Sequence, residues 1–113
     1  MIKVLEYNSI LLAKVFIADT FKSRFFGYMF RKKPHYEAIL IKPCNSIHTF
    51  FMRFNIDVLF VDKDMKVVRK IENLSSGRII MPVKGAVIAI EGKAGVFSVV
   101  DEGSKVNILD QEL

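Results

Sequence analysis

Apolar residues along this chain fall in short runs that alternate with, or are bounded by, polar and turn-forming residues. That spacing predicts strands far more often than helices. Residues 2–7 and 10–17, rich in Ile, Val, Leu and Phe, predict two strands joined by a tight turn at Asn8-Ser9. Ala38 to Ile41 predicts a short strand closed by Pro43, and Ile47 to Met52 opens the densest apolar stretch. Its second half, Ile56 to Asp62, is apolar on both alternating sets, as a strand buried on both faces should be. Asp62-Lys63-Asp64-Met65 predicts a hairpin turn, with Lys66 to Ile71 returning antiparallel. A polar loop is expected from Asn73 to Lys84, another inner strand from Ala86 to Glu91, and a last strand from Lys105 to Leu109. Val96 to Val100 fits neither period. The uninterrupted runs nominate Val58, Phe60, Val61, Val87, Ile88 and Ile90 as core.

One segment has helical spacing. Asp19 or Thr20 supplies an N-cap oxygen, and Phe21, Phe25 and Met29 recur every four residues, as do Phe26 and Phe30. Gly27 inside that pattern costs helix propensity, which implies a close packing contact. Arg31-Lys32-Lys33-Pro34 is expected to end the helix. The fold class that follows is α+β and mostly β. It is a compact, twisted, antiparallel-rich sheet closing into a small barrel-like body, with one or two short helices. No repeat, linker or low-complexity tract interrupts residues 1–113, so a single domain is expected.

Composition narrows the setting. The chain is 51% apolar and 26% charged, an ordinary globular balance. A lone cysteine, Cys44, rules out an internal disulfide and suits a reducing compartment. The stretch from Met1 to Tyr7 mixes charges into its apolar residues and does not read as a secretion signal. No apolar run approaches the ~18 residues that span a bilayer. A cytoplasmic protein with no membrane partner is expected. Charge is distributed unevenly: residues 20–56 hold Lys22, Arg24, Arg31, Lys32, Lys33, Lys42 and Arg53 against Glu37 alone. Either this is a solvated face or it meets an anionic partner.

Four pieces occur in order: Arg24-Phe25-Phe26-Gly27-Tyr28-Met29, His48-Thr49-Phe50-Phe51-Met52-Arg53, Ile56-Asp57-Val58-Leu59-Phe60-Val61-Asp62, and Ile90-Glu91 ahead of Gly95 and Gly103. In that order and spacing the chain resembles the domain of unknown function 192 family from about residue 13 to 109. The resemblance implies a compact, mostly β body with a short helix, and it carries over no catalytic residue. This chain departs from the pattern at Asn55, where proline is common, at Met65, where glycine is common, and at Ser104, where an aspartate often follows the glycine.

Candidate chemistry is sparse. Cys44 and His48 could form a nucleophile–base pair, with Asp57 as a third group, but no glycine-rich oxyanion segment follows the cysteine. Cys44, His48 and His35 are too few nitrogen and sulfur ligands for a zinc site, and Gly92-Lys93-Ala94-Gly95 is no phosphate loop. No metal or cofactor is therefore expected. The charges bordering the most apolar strands are different. Arg53, Asp57 and Glu91 are costly there unless paired or met by a ligand. With Arg24 and His48 they form the expected ligand-binding set: Arg24, His48, Arg53, Asp57 and Glu91. The reading is a small ligand-binding or accessory domain with a polar pocket near the Phe-Phe-Met-Arg and Ile-Asp segments. An alternative is single-stranded nucleic-acid binding through the basic 20–56 segment, with Phe21, Tyr28, Tyr36 and Phe54 as stacking surfaces. A third is a small-substrate enzyme using Asp57, Glu91 and His48. The ligand, the activity and the oligomeric state are left open by these residues.

Overall fold

The computed structural model describes residues 1–111, and every side chain among them except those of Phe21, Lys22 and Phe25. In chain order the elements are β1 (Ile2–Tyr7), β2 (Ile10–Ala18), α1 (Phe21–Phe26), β3 (Ala38–Ile41), β4 (Ile47–His48), β5 (Ile56–Val61), β6 (Val67–Leu74), β7 (Ile79–Ile80), β8 (Ile88–Lys93) and β9 (Asn107–Asp110). Seven of the nine strands form one sheet in the order β6-β5-β8-β3-β2-β1-β9, and β4 pairs with β7 in a small ribbon. Every pairing is antiparallel except β2 with β3, where the chain returns through α1 and the loop after it. The turn between β1 and β2 places Asn8 at φ +50° and Ser9 at φ +66°, the left-handed pair that matches strand twist.

The sheet does not close into a barrel. Its outer strands, β6 and β9, are connected through the residues ahead of β9: the Val67 amide donates to the Ser104 carbonyl at 2.8 Å, and Gly103 donates back to Val67 at 2.7 Å. A lone bridge, Lys66 with Lys105, follows. β9 itself forms no ladder with β6, so the barrel-like closure expected from strand count is replaced by an open sheet.

Both faces of the central strands are buried. One face gathers Leu5, Val15, Leu40, Leu59, Val61, Ile90, Phe97 and Val106. The other gathers Tyr28, Ile39, Ile41, Met52, Ile56, Val58, Phe60 and Ala89. This is why β5 is apolar at both parities and buried along its whole length. Of the expected core, Val58, Phe60, Val61, Ile88 and Ile90 are buried, whereas Val87 is exposed because β8 starts one residue later. The expected loop from Asn73 to Lys84 contains the two-residue strand β7, and the segment from Ile47 contributes only two residues to a strand.

Helix α1 is shorter than its apolar spacing suggests. Thr20, not Asp19, caps it: the Ser23 amide donates to Thr20 Oγ1 at 3.0 Å, and the Thr20 amide donates to Ser23 Oγ at 3.1 Å. Gly27 ends it at φ +45° and ψ −119°, a backbone conformation that side chains disfavour. The helix therefore stops well before Arg31-Lys32-Lys33. The expected packing of Phe21 and Phe25 lies outside the described side chains. No helix among the described residues is long and apolar enough to cross a membrane.

The first face is sealed by the turn after β8. A Cβ at Gly92 would overlap Val96 Cγ1 and sit 2.8 Å from Phe97 Cζ, inside van der Waals contact. Gly92→Ala is thus an overpacking change, expected to cost about 1–3 kcal/mol in a urea titration. A loss below ~0.5 kcal/mol would show that the turn does not press on β8.

Candidate functional site

Glu91 lies in the middle of the sheet, opposite Ile39 of β3 and Val58 of β5. It shares the parity of Ala89, so its side chain rises on the face covered by Tyr28 and Met52. Only 3% of it is exposed. Among the described residues it has no hydrogen-bond or ion-pair partner. Burial pushes its carboxyl up to about 7 from an ordinary 4.5. The backbone at Gly27 comes down beside it, close enough that a Cβ there would lie 3.4 Å from Glu91 Oε1. That is ordinary van der Waals spacing, so the positive φ of the helix C-cap, and not the close packing expected of a mid-helix glycine, is what favours glycine here.

Glu91 borders a cavity of about 240 Å³ whose wall also includes Arg24, Gly27, Cys44, His48 and Met52. Arg24 is half-buried, in the last turn of α1, with no ion-pair partner among the described residues. The His48 ring stacks on Phe50 at 5.2 Å, and its Nδ1 accepts from the Phe50 amide at 3.2 Å, which leaves Nε2 as the N–H of a neutral ring. Cys44 donates its thiol proton to the Ser46 carbonyl at 3.0 Å. Burial, with a smaller contribution from the Glu91 charge, pushes that thiol up, so it is no ready nucleophile. Tyr28 is buried too, and its hydroxyl donates to the Tyr36 carbonyl at 2.9 Å. Desolvation first, and Glu91 second, hold it protonated far above its ordinary range. No group of three or more His, Cys, Asp or Glu side chains among the described residues is disposed to hold a metal ion.

Three of the five expected site residues, Arg24, His48 and Glu91, thus meet at one cavity. Two do not. Arg53 is exposed and pairs with no carboxylate among the described residues. Asp57 is 1% exposed but belongs to the other face, since its register partner is Gly92 while Val58 stands opposite Glu91. Its two oxygens are already occupied: Oδ1 accepts from the Asn73 amide at 2.7 Å and Oδ2 from the Gly95 amide at 2.8 Å. The expected convergence of Arg53, Asp57 and Glu91 does not occur. Asp57 instead ties β5 to β6 and to the turn after β8.

The aromatic surfaces are redistributed as well. Tyr28 is buried, Tyr36 stacks on Phe16 at 4.5 Å, and Phe54 meets Tyr28 edge-on at 5.3 Å. Phe21 lies outside the described side chains. Among the described side chains the exposed phenylalanines are Phe26, Phe30, Phe50 and Phe51. Phe30 at φ +64° and Phe51 at φ +63° occupy left-handed conformations that cost bulky residues on the order of 1–3 kcal/mol each. The apolar spacing predicts a helix that runs on to Phe30 and a dense apolar stretch through Phe51, yet α1 ends before Phe30 and β4 ends before Phe51.

A family model for DUF192, described as an uncharacterised conserved region, matches residues 4–108. A UPF0127 protein of Pyrococcus abyssi is 42% identical over 100 residues, covering 82% of this chain and 84% of the relative. A UPF0127 protein of Pyrococcus horikoshii is 42% identical over 88 residues, covering 74% and 75%. Among solved structures, a protein of Sinorhizobium meliloti proposed as a transcription regulator superposes with a TM-score of 0.76 at 18% identity, covering 95% of this chain and 91% of that one. A protein of unknown function from Novosphingobium aromaticivorans gives 0.74 at 17%, covering 95% and 84%. Identities this low show a common fold and nothing of activity.

Proposed function

This chain belongs to the DUF192 family of uncharacterised proteins, whose function is unknown, and from that premise we propose that it binds a small ligand in the cavity at Glu91. The observation that carries this reading is a carboxyl only 3% exposed, on the wall of a cavity, with no hydrogen-bond or ion-pair partner among the described residues. A charge that deep is costly unless a ligand satisfies it. A cationic or strongly donating group of the ligand would meet Glu91. An acceptor or anionic group would meet Arg24 or the Nε2–H of His48, and the apolar part would lie against Met29, Ile47 and Met52, which also line the cavity. A volume of about 240 Å³ suits a small metabolite. A wider groove of about 570 Å³ shares Phe26, Gly27 and Met29 with it and gives room for a longer one.

An enzyme built on Asp57, Glu91 and His48 finds less support, because Asp57 faces the opposite side of the sheet and its oxygens already hold two amides. A cytoplasmic setting accords with the free Cys44.

A thermal-shift screen of small cationic and zwitterionic metabolites tests this reading. Binding should strengthen as pH rises through about 7, where Glu91 ionises. A ligand at 100 times its Kd should stabilise the wild type by about 2.7 kcal/mol and lose most of that on Glu91→Gln. Ligands that stabilise both proteins equally would remove Glu91 from the site, and a screen without a pH-dependent hit would sink the proposal.

A further inference from the structure

The Phe30 amide donates to the Phe51 carbonyl at 2.9 Å, and the two rings stack with centroids 5.2 Å apart and planes 22° from parallel. Phe30 is 59% exposed and Phe51 63%. Phe50, next in the chain, is exposed as well and stacks on His48. Burial does not explain Phe30 and Phe51, because both give most of their surface to water. Local backbone preference does not explain them either, since both stacked phenylalanines are held at positive φ, a conformation that persists only where surrounding structure imposes it.

The same two loops carry four of the seven cations of the basic 20–56 segment. Arg31 follows Phe30 and precedes Lys32 and Lys33, while Arg53 lies two residues beyond Phe51. All four are exposed, and none has an ion-pair or hydrogen-bond partner through its side chain among the described residues. The hydrogen bond between Phe30 and Phe51 therefore brings two basic turns together around one aromatic platform. Unpaired cations beside open ring faces are the combination that holds bases by stacking and phosphates by charge.

We propose that the surface formed by Phe30, Phe50 and Phe51 with Arg31, Lys32, Lys33 and Arg53 binds single-stranded nucleic acid. This surface adjoins the ligand site, since Phe30 and Arg31 also line the wider groove and Phe50 stacks on His48, but it does not involve Glu91, so Glu91→Gln should leave strand binding unchanged. A single strand fits better than a duplex because stacking needs bases whose faces are open, and these loops offer no helix or ribbon to enter a groove. A lipid surface fits less well, since Phe30 and Phe51 are stacked on each other and do not stand apart as insertable side chains.

Fluorescence anisotropy with a labelled single strand of about 12 nucleotides, as DNA and as RNA, provides the test. Binding is expected at ~50 mM salt, with log K falling against log salt at a slope between about −2 and −3 if these four cations neutralise phosphates. Phe30→Gly and Phe51→Gly should weaken binding about tenfold or more. Their melting temperatures should hold or rise, because glycine adopts positive φ without strain. Lys32→Glu with Lys33→Glu, both at exposed positions, should weaken binding and flatten the salt slope, and this pair serves as the test should the glycine variants fail to fold. The inference is overturned by no binding at ~50 mM salt, by phenylalanine variants that bind like the wild type, by a duplex bound as tightly as the single strand, or by binding to phosphatidylserine vesicles in place of oligonucleotide.

Discussion

Asp57→Ala is expected to destabilise the protein by roughly 3–5 kcal/mol, measured by urea titration at pH 7. The carboxylate accepts from two backbone amides, those of Asn73 and Gly95, that come from different parts of the chain. Asn73 is at φ +56°, beside the irregularity where β6 shifts register against β5 between Ile56 and Val58. Removing the acceptor leaves two amides without a charged partner at a part-buried site. Each orphaned donor costs about 1–3 kcal/mol, and bonds to a charged acceptor lie toward the upper end. Asp57→Asn keeps one oxygen and should lose about half as much, since one amide must then face an NH₂ group. A loss under 1 kcal/mol for Asp57→Ala would mean that water satisfies both amides and that Asp57 does not hold these segments together.

Glu91→Gln is expected to act in the opposite sense and to depend on pH. Burial lifts the Glu91 carboxyl to about 7 in the folded protein, against 4.5 for an ordinary glutamate. The folded state therefore holds the proton more tightly than the unfolded chain. Below pH ~4 both states are protonated and the residue imposes no penalty. As pH rises from about 4.5 to about 7 the unfolded chain ionises first, and stability is lost through that window. Above it the loss is constant, roughly 3 kcal/mol by linkage. Glu91→Gln removes the titration, so it should match the wild type near pH 4 and exceed it by roughly 3 kcal/mol at pH 8. A site that gains stability when its charge is removed is one kept for something other than folding. Equal stabilities at pH 8 would show that Glu91 has a partner in solution and would remove the basis of the proposed ligand site.

Asp57 and Glu91 look alike in the sequence: each is an acid against an apolar strand. Their fates differ because side chains alternate along a strand, and because the pairing of β5 with β8 puts Glu91 opposite Val58 and not opposite Asp57. A register shift of one residue would have put both acids on one face. That register is set by pairing between residues 27 to 37 positions apart, through contacts that no local pattern reports.

Local pattern was sufficient wherever the deciding interaction is itself local. The turn at Asn8-Ser9, the capping oxygen of Thr20, the hairpin from β5 to β6 and the doubly apolar character of β5 all follow from residues a few positions apart, and all are present. Family membership was legible in the same way, from short motifs in order. Tertiary structure decided the rest. It ended α1 at Gly27, where the backbone closes over Glu91, although the apolar spacing continued to Phe30. It turned Phe30 and Phe51 outward through a hydrogen bond between distant loops, and it left the sheet open because only one bridge forms between its ends. Each of these outcomes rests on which distant segments come to lie side by side. Chain periodicity says which residues prefer burial, whereas long-range pairing alone says on which face, and beside what, each is buried.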